Sequence, residues 1–142
     1  MVGTRDYEAE DLSTVLDSWY QASLVAHSFL SAEFLEEEAV RIAEQWLPAS
    51  ETIVSVADGS VTGFLSLVEN EVGAIFVHPE SQGGGHGRAL MDEARARRAF
   101  LELDVFEDNP IGRRFYAAYG FRQVGRGVDK DSGYVTLRLR LD

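Results

Sequence analysis

Val77-His78-Pro79-Glu80-Ser81-Gln82-Gly83-Gly84-Gly85-His86-Gly87-Arg88-Ala89-Leu90-Met91 is the stretch on which the fold turns. The residues leading into it, Val72 to Val77, form an apolar run rich in β-branched and aromatic side chains that stops at Pro79, as a buried strand does. Past the glycines, Ala89, Leu90 and Ala94 recur at helical spacing. A strand that enters a helix through glycines makes a place for an anion. Glycine takes positive φ and lets a ligand approach the backbone, and the first N–H groups of a helix have no intrahelical partner. Phosphate suits such a turn.

Spacing rejects two phosphate motifs. A P-loop requires Gly-x-x-x-x-Gly-Lys-Ser/Thr, but Gly87 is followed by Arg88 and Ala89, so neither the lysine nor the magnesium-binding hydroxyl is in place. A dinucleotide fingerprint requires Gly-x-Gly-x-x-Gly, and Gly83-x-Gly85 meets Arg88 at the last position. What remains is Gln82-x-x-Gly85-x-Gly87 behind a strand ending in Val77-His78-Pro79.

The chain around this stretch has 142 residues, 45% of them hydrophobic, which suits a single domain over 1–142 with one core. No apolar run approaches the roughly 20 residues needed to span a bilayer. The acidic N-terminus lacks the basic start and hydrophobic stretch of a signal peptide, which predicts a cytoplasmic protein without membrane partners. Absence of cysteine excludes disulfides, thiolate metal sites and a cysteine nucleophile. His78 and His86 stand apart from any carboxylate pattern, so no metal is expected.

A net charge of −11 argues against a nucleic-acid partner, which would require a basic surface. The charge is uneven: residues 1–78 hold 14 acidic side chains against Arg5 and Arg41, whereas residues 79–142 hold 10 acidic against 11 basic. One reading has the N-terminal half facing a cationic substrate and the C-terminal half an anionic one. The other is a solvated acidic surface, and both stay open.

Taken in order, Val2 to Tyr7 reads as a short strand. Leu12, Val15, Leu16, Trp19 and Tyr20 then mark the inner stripe of a helix. The segment Ala26 to Ser31 breaks that pattern. Ser31 can cap a second helix carrying Phe34, Leu35, Ile42 and Trp46 before Pro48, giving a helix–turn–helix lid. Glu51–Ala57, Ser60–Val68 and Val72–Val77 read as a meander through the turns at Asp58-Gly59 and Asn70. The glycine turn opens a helix over Gly87 to about Arg98. Phe100–Phe106 alternates as a strand, and Asp108-Asn109-Pro110 caps a helix that stops at Gly120. Phe121–Gly127 and Tyr134–Leu141 complete the chain as two strands. The second of these reads as an edge strand that could pair between subunits in a homodimer.

The resulting order is β-α-α-β-β-β-α-β-α-β-β. With Gln82-x-x-Gly85-x-Gly87, and with Asn109 followed by Phe115-Tyr116-Ala117-Ala118-Tyr119-Gly120-Phe121, the chain resembles the GNAT N-acetyltransferases over nearly its whole length. Within that superfamily, His27-Ser28-Phe29-Leu30-Ser31, Trp46-Leu47-Pro48 and Val105-Phe106-Glu107-Asp108-Asn109 are similar to a small group of bacterial acetyltransferases. The resemblance implies a three-layer α+β or α/β fold, with a mixed, mostly antiparallel twisted sheet of about seven strands and four helices. It also implies acetyl-CoA as co-substrate. An acetyl group would pass directly to a primary amine, on a small molecule or a peptide N-terminus, in a ternary complex. A non-catalytic acyl-CoA sensor on the same fold is the alternative.

Residue roles follow from the same resemblance. Backbone groups of Phe76 and Val77 would hold the pantetheine arm. Gln82, Gly83, Gly84, Gly85, His86, Gly87 and Arg88 would form the pyrophosphate loop, with Arg88 adding charge. Tyr116 corresponds to the general acid that protonates the departing thiolate, against the reading of a core tyrosine. Asn109 looks like a CoA-contacting residue and is equally a helix cap. An alkyl ammonium, with a pKa of about 10.4, must lose a proton before it attacks. Asp104 is the first candidate to take that proton, through a relaying water, and Glu71 the second; an exposed strand carboxylate is the plain reading of each. His27 and Phe29 sit in the lid where an acceptor would enter, although a histidine there also suits a structural hydrogen bond. Trp19, Phe29 and Trp46 read as core before they read as an aromatic wall for a cation.

Overall fold

Two tight turns organise the first half of the sheet. In the computed structural model, which describes residues 2–142, Asp58 and Glu69 adopt left-handed φ values of 52° and 54° and reverse the chain beside Gly59 and Asn70. Strands β2 (Glu51–Ala57), β3 (Ser60–Val68) and β4 (Glu71–Val77) therefore run as an antiparallel meander, with β1 (Gly3–Asp6) paired to the outer side of β2. Strands β5 (Leu101–Phe106), β6 (Arg122–Val128) and β7 (Val135–Leu141) complete a seven-stranded sheet in the order β1-β2-β3-β4-β5-β7-β6.

Both faces of this sheet are covered, which explains the near-continuous apolar runs of β2 and β3. Helix α1 (Leu12–Ala26) and helix α2, which starts at Ala32, lie on one face. Val15, Trp19 and Leu35 pack there against Val54 and Phe64. Helices α3 (His86–Arg97) and α4 (Pro110–Tyr119) lie on the other. Leu90, Met91 and Ala94 of α3 meet Ile53, Leu65 and Leu103 in that second core. Each fully buried leucine or isoleucine of this kind contributes about 1.5–3 kcal/mol.

Start signals act where they were read. Ser31 Oγ accepts the Phe34 N–H at 3.1 Å to cap α2, and Asn109 Oδ1 accepts the Gly112 N–H at 2.9 Å to cap α4. The stop at Pro48 does not hold. After Arg41 the helix widens into a π turn at Ile42–Trp46 and closes with a last turn at Leu47–Ala49 that contains the proline. A π turn accommodates the missing N–H, and the Ser50 hydroxyl donates to the Trp46 carbonyl at 2.6 Å. The widened turn lays the Trp46 ring on Gly73, where a Cβ would stand 1.8 Å from the indole.

The C-terminal strand also departs from expectation. Tyr134–Leu141 was expected at an edge available for pairing between subunits, but β7 lies between β5 and β6. The edges are β1 and β6. Arg138 and Arg140 on β7 pair in register with Asp104 and Glu102 on β5, and this cross-strand charge match draws β7 inward.

One junction in the sheet is incomplete. β4 and β5 run parallel and pair only at Glu71 and Glu102, after which the strands part. Two glutamates directly opposite one another repel. Arg138 lies across both, with Nη2 2.9 Å from Glu71 and Nε 3.0 Å from Glu102, and clasps the apex of the opening.

Candidate active site

The parting of β4 and β5 leaves a cavity of about 400 Å³ between the end of β4, the glycine turn and the helices α1 and α4. Its floor is Ile75, Phe76 and Val77, and Ala22, Val25 and Ala26 of α1 form one wall. Asn109, which caps α4, and Ile111, Phe115 and Tyr116 of α4 form the other. Val25 and Ile111 are exposed at its sides, as suits an apolar ligand arm running between the two helices.

Strand alternation decides which backbone groups face the cavity. The His78 N–H bonds the Thr62 carbonyl at 2.9 Å, so His78 and Phe76 turn their polar groups toward β3. Val77 and Ile75 turn theirs toward the side that β5 has left. Phe76 was expected to offer its backbone here. Instead its ring packs against Trp19, Phe64 and His27, and Ile75, which sequence reasoning missed, takes its place. The signal lay in the two-residue period of the strand, which requires a partner register to be read.

The loop presents its N–H groups without competition. Gly83 and Gly85 both adopt a φ of +85°, and Gly85 enters α3 with no side-chain cap. The first helical bond runs from Ala89 N–H to the Gly85 carbonyl at 3.0 Å, leaving the N–H groups of His86, Gly87 and Arg88 free of intrahelical partners. Gln82 lines the cavity, and its amide donates to the Val77 carbonyl at 3.1 Å and ties the loop to the end of β4. Arg88 lines the cavity and lies 5.6 Å from the Tyr119 ring centroid, and the Tyr119 hydroxyl donates to Asp92 at 2.5 Å.

The His86 side chain turns the other way. It is 8% exposed, and its Nδ1 lies 2.7 Å from Thr62 Oγ1, which lies 2.8 Å from Ser55 Oγ. The loop therefore stands on a buried polar chain that reaches β2, and His86 offers the cavity its N–H and not its imidazole. Gly84 packs on that ring: a Cβ there would stand 3.0 Å from Nε2.

Tyr116 lies in the same cavity with its ring edge-on to Phe115 and Phe121, at 5.5 and 5.6 Å. Burial pushes the phenol upward, well above its ordinary value, so it stays protonated at any physiological pH. Such a group donates a proton to a stronger base and is not itself one.

Neither carboxylate candidate reaches the cavity. Asp104 Oδ2 lies 3.3 Å from Arg138 Nη1 and Glu71 Oε1 lies 2.9 Å from Arg138 Nη2, so both face the clasp at the apex. The strand period turns Asp104 away from Leu103 and Val105 and onto the opposite face of β5. Among the described residues, no group of three or more histidines and carboxylates could hold a metal ion. No described helix is long and apolar enough to cross a membrane.

His27 does not line the cavity. It terminates α1, with its ring edge-on to Phe29, Phe76 and Phe106 and its Nε2 3.2 Å from Asn109 Nδ2. Burial pushes its imidazole down to about 4. A histidine held neutral by the fold contributes stability that is complete above its unfolded value of about 6.5 and is lost as the pH falls toward 4. Between pH 6.5 and 4.5 the wild-type melting temperature is expected to fall on the order of 5 °C further than that of His27→Gln. Parallel melting curves that keep a constant gap would refute this assignment. Phe29 contacts Phe106 and Tyr134, at 5.4 and 4.7 Å, and the Tyr134 hydroxyl donates to the Phe29 carbonyl at 3.2 Å. The connection between α1 and α2 is thus tied to the one between β6 and β7.

The model of the acetyltransferase (GNAT) domain family matches residues 48–123. The peptidyl-lysine N-acetyltransferase YjaB of Escherichia coli (strain K12) is 30% identical over 131 residues, which are 92% of this chain and 86% of that protein. The peptidyl-lysine N-acetyltransferase YiaC of the same strain is 29% identical over 121 residues, 84% of this chain and 83% of that one. The solution structure of the apo form of E. coli YjaB superposes with a TM-score of 0.88 at 29% identity, covering 99% of this chain and 97% of that chain.

Proposed function

Because this chain belongs to the GNAT acetyltransferase family, we propose that it moves an acetyl group from acetyl-CoA to the ε-amine of a peptidyl lysine, by direct attack in a ternary complex. The observation that carries the reading is a single cavity holding uncommitted N–H groups at the start of α3 and a protonated Tyr116. The free N–H groups suit the pyrophosphate, with the Arg88 charge beside them. The β4 backbone at Ile75 and Val77 suits the pantetheine arm, and an N–H there suits the thioester carbonyl as charge develops on its oxygen.

In this mechanism the neutral amine nitrogen bonds to the thioester carbon, the C–S bond breaks, and the thiolate takes its proton from Tyr116. The ammonium loses its first proton to water before it attacks, because no Asp or Glu lines the cavity, and the second proton, released by the nitrogen as the amide forms, restores Tyr116 through water. Phe29, Phe106 and Tyr134 form an aromatic wall suited to an alkyl ammonium. The choice of lysine rests on the two relatives named for peptidyl-lysine acetylation.

Asp104 and Glu71 serve here as partners of Arg138. Asp104→Asn and Glu71→Gln should each lower kcat less than about tenfold, where loss of a direct proton acceptor costs about 10²–10⁴. A hundredfold loss in either variant would restore that residue as the base. The defining experiment is acetyl-CoA consumption with internal-lysine peptides, peptides with only a free α-amine, free amino acids and polyamines, alongside calorimetric titration with CoA. Turnover on internal-lysine peptides supports the proposal. CoA binding without turnover on any amine replaces it with a binding role, and absence of CoA binding overturns it.

A further inference from the structure

Behind the cavity wall, His27, which does not line the cavity, meets Asn109, which does, across 82 residues of sequence. Asn109 is 7% exposed, and its two amide arms are told apart by their partners. Oδ1 accepts the Gly112 N–H at 2.9 Å, which only the oxygen arm can do. The arm facing His27 is therefore NH2, a donor. His27 Nε2 must then be the bare, accepting nitrogen, and the ring proton sits on Nδ1. A ring in this state has no free lone pair left for a substrate proton.

The surroundings hold the arrangement in place. The His27 ring stands edge-on to Phe76 of β4, Phe106 of β5 and Phe29 of the α1–α2 connection, at 6.1, 5.0 and 5.8 Å. It thus bridges the two strands where the sheet has opened. Gly112 leaves room for this amide: a Cβ there would lie 2.5 Å from Asn109 Nδ2 and would displace it. Asn109 opens α4, and Tyr116 follows two helical turns later.

We infer that His27 is a positioning residue for the acid: by accepting from Asn109 it fixes the cap of α4 and so the placement of Tyr116 in the cavity. This rests on the acetyltransferase reading above. It reassigns His27 from contact with the acceptor to control of the acid-bearing helix.

Two substitutions separate acceptance from bulk. His27→Gln keeps an acceptor, Oε1, near the place of Nε2 and gives up the aromatic ring. His27→Phe keeps the ring and gives up the acceptor. The inference expects Gln to retain kcat within a factor of about three and Phe to lower it about tenfold, with acceptor KM unchanged in both. Imidazole ¹⁵N spectra of the free wild type at pH 6.5 should show a neutral ring with its proton on Nδ1, and Asn109→Asp, which keeps the cap but removes the donor, should change that state.

Retained kcat in Phe with loss in Gln means that His27 is packing only and overturns the inference. A raised acceptor KM in Phe returns His27 to the substrate, and a wild-type proton on Nε2 overturns the geometry itself. The spectra need no acetyl transfer. A wild type with the Nδ1 proton but no turnover on any amine therefore fails the acetyltransferase reading and, with it, the acid-positioning role.

Discussion

Tyr116→Phe should lower kcat about a hundredfold while leaving CoA affinity within a factor of about two. The expectation follows from what the substitution removes. The ring keeps its edge-on contacts with Phe115 and Phe121, so packing survives. Burial alone raises the phenol, with no hydrogen-bonding or charged neighbour contributing, so no partner is orphaned. Only the proton offered to the departing thiolate disappears. Steady-state kinetics and calorimetric titration with CoA test the two halves separately, and a loss in kcat below about threefold would remove Tyr116 from the chemistry. The pH profile gives a second check. A tyrosine raised by burial stays protonated as pH rises, so the wild type should show no alkaline loss of kcat below about pH 10 attributable to this group.

Gly63→Ala should weaken both the fold and the donor site. Gly63 pairs with Val77, and a Cβ there would stand 2.6 Å from the Phe76 carbonyl oxygen and 3.0 Å from the Val77 Cα. Backbone cannot turn aside as a side chain does, so β4 must move at the point where it forms the cavity floor. A cost of about 1–3 kcal/mol is expected in unfolding, together with about a tenfold rise in KM for acetyl-CoA. Gly127→Ala serves as the control, because a Cβ there meets nothing within 4 Å. If Gly63→Ala melts early but keeps its KM, the floor at Ile75 and Val77 does not hold the donor.

Much of the architecture was readable because its signals are local. Asp58-Gly59 reverses a hairpin within its own residues, and Ser31 and Asn109 cap helices three residues away. The glycine turn before α3 carries its conformation in glycines at positive φ. Where local rules failed, a distant partner intervened. Pro48 did not end its helix, because the π turn at Ile42–Trp46 accommodates the missing N–H, and Ser50 then satisfies the Trp46 carbonyl. Tyr134–Leu141 is apolar and alternating, as an edge or an interior strand would be. Arg138 and Arg140, in register with Asp104 and Glu102, decide for the interior. That pattern of opposite charges at period two was present in both segments and could have revealed the pairing.

The sequence by itself determined the order of elements, the turns, the helix caps and an uncapped helix N-terminus behind a glycine loop, because each rests on residues a few positions apart. Tertiary structure alone decided how the site is assembled. It placed Glu71 and Asp104 on Arg138 instead of in the cavity, turned His86 onto Thr62, and joined His27 to Asn109. These contacts arise where β4 and β5 part and where helices from opposite faces of the sheet approach each other. Which side-chain atoms meet there depends on register and packing between segments far apart in the chain, and no periodicity within one segment encodes that.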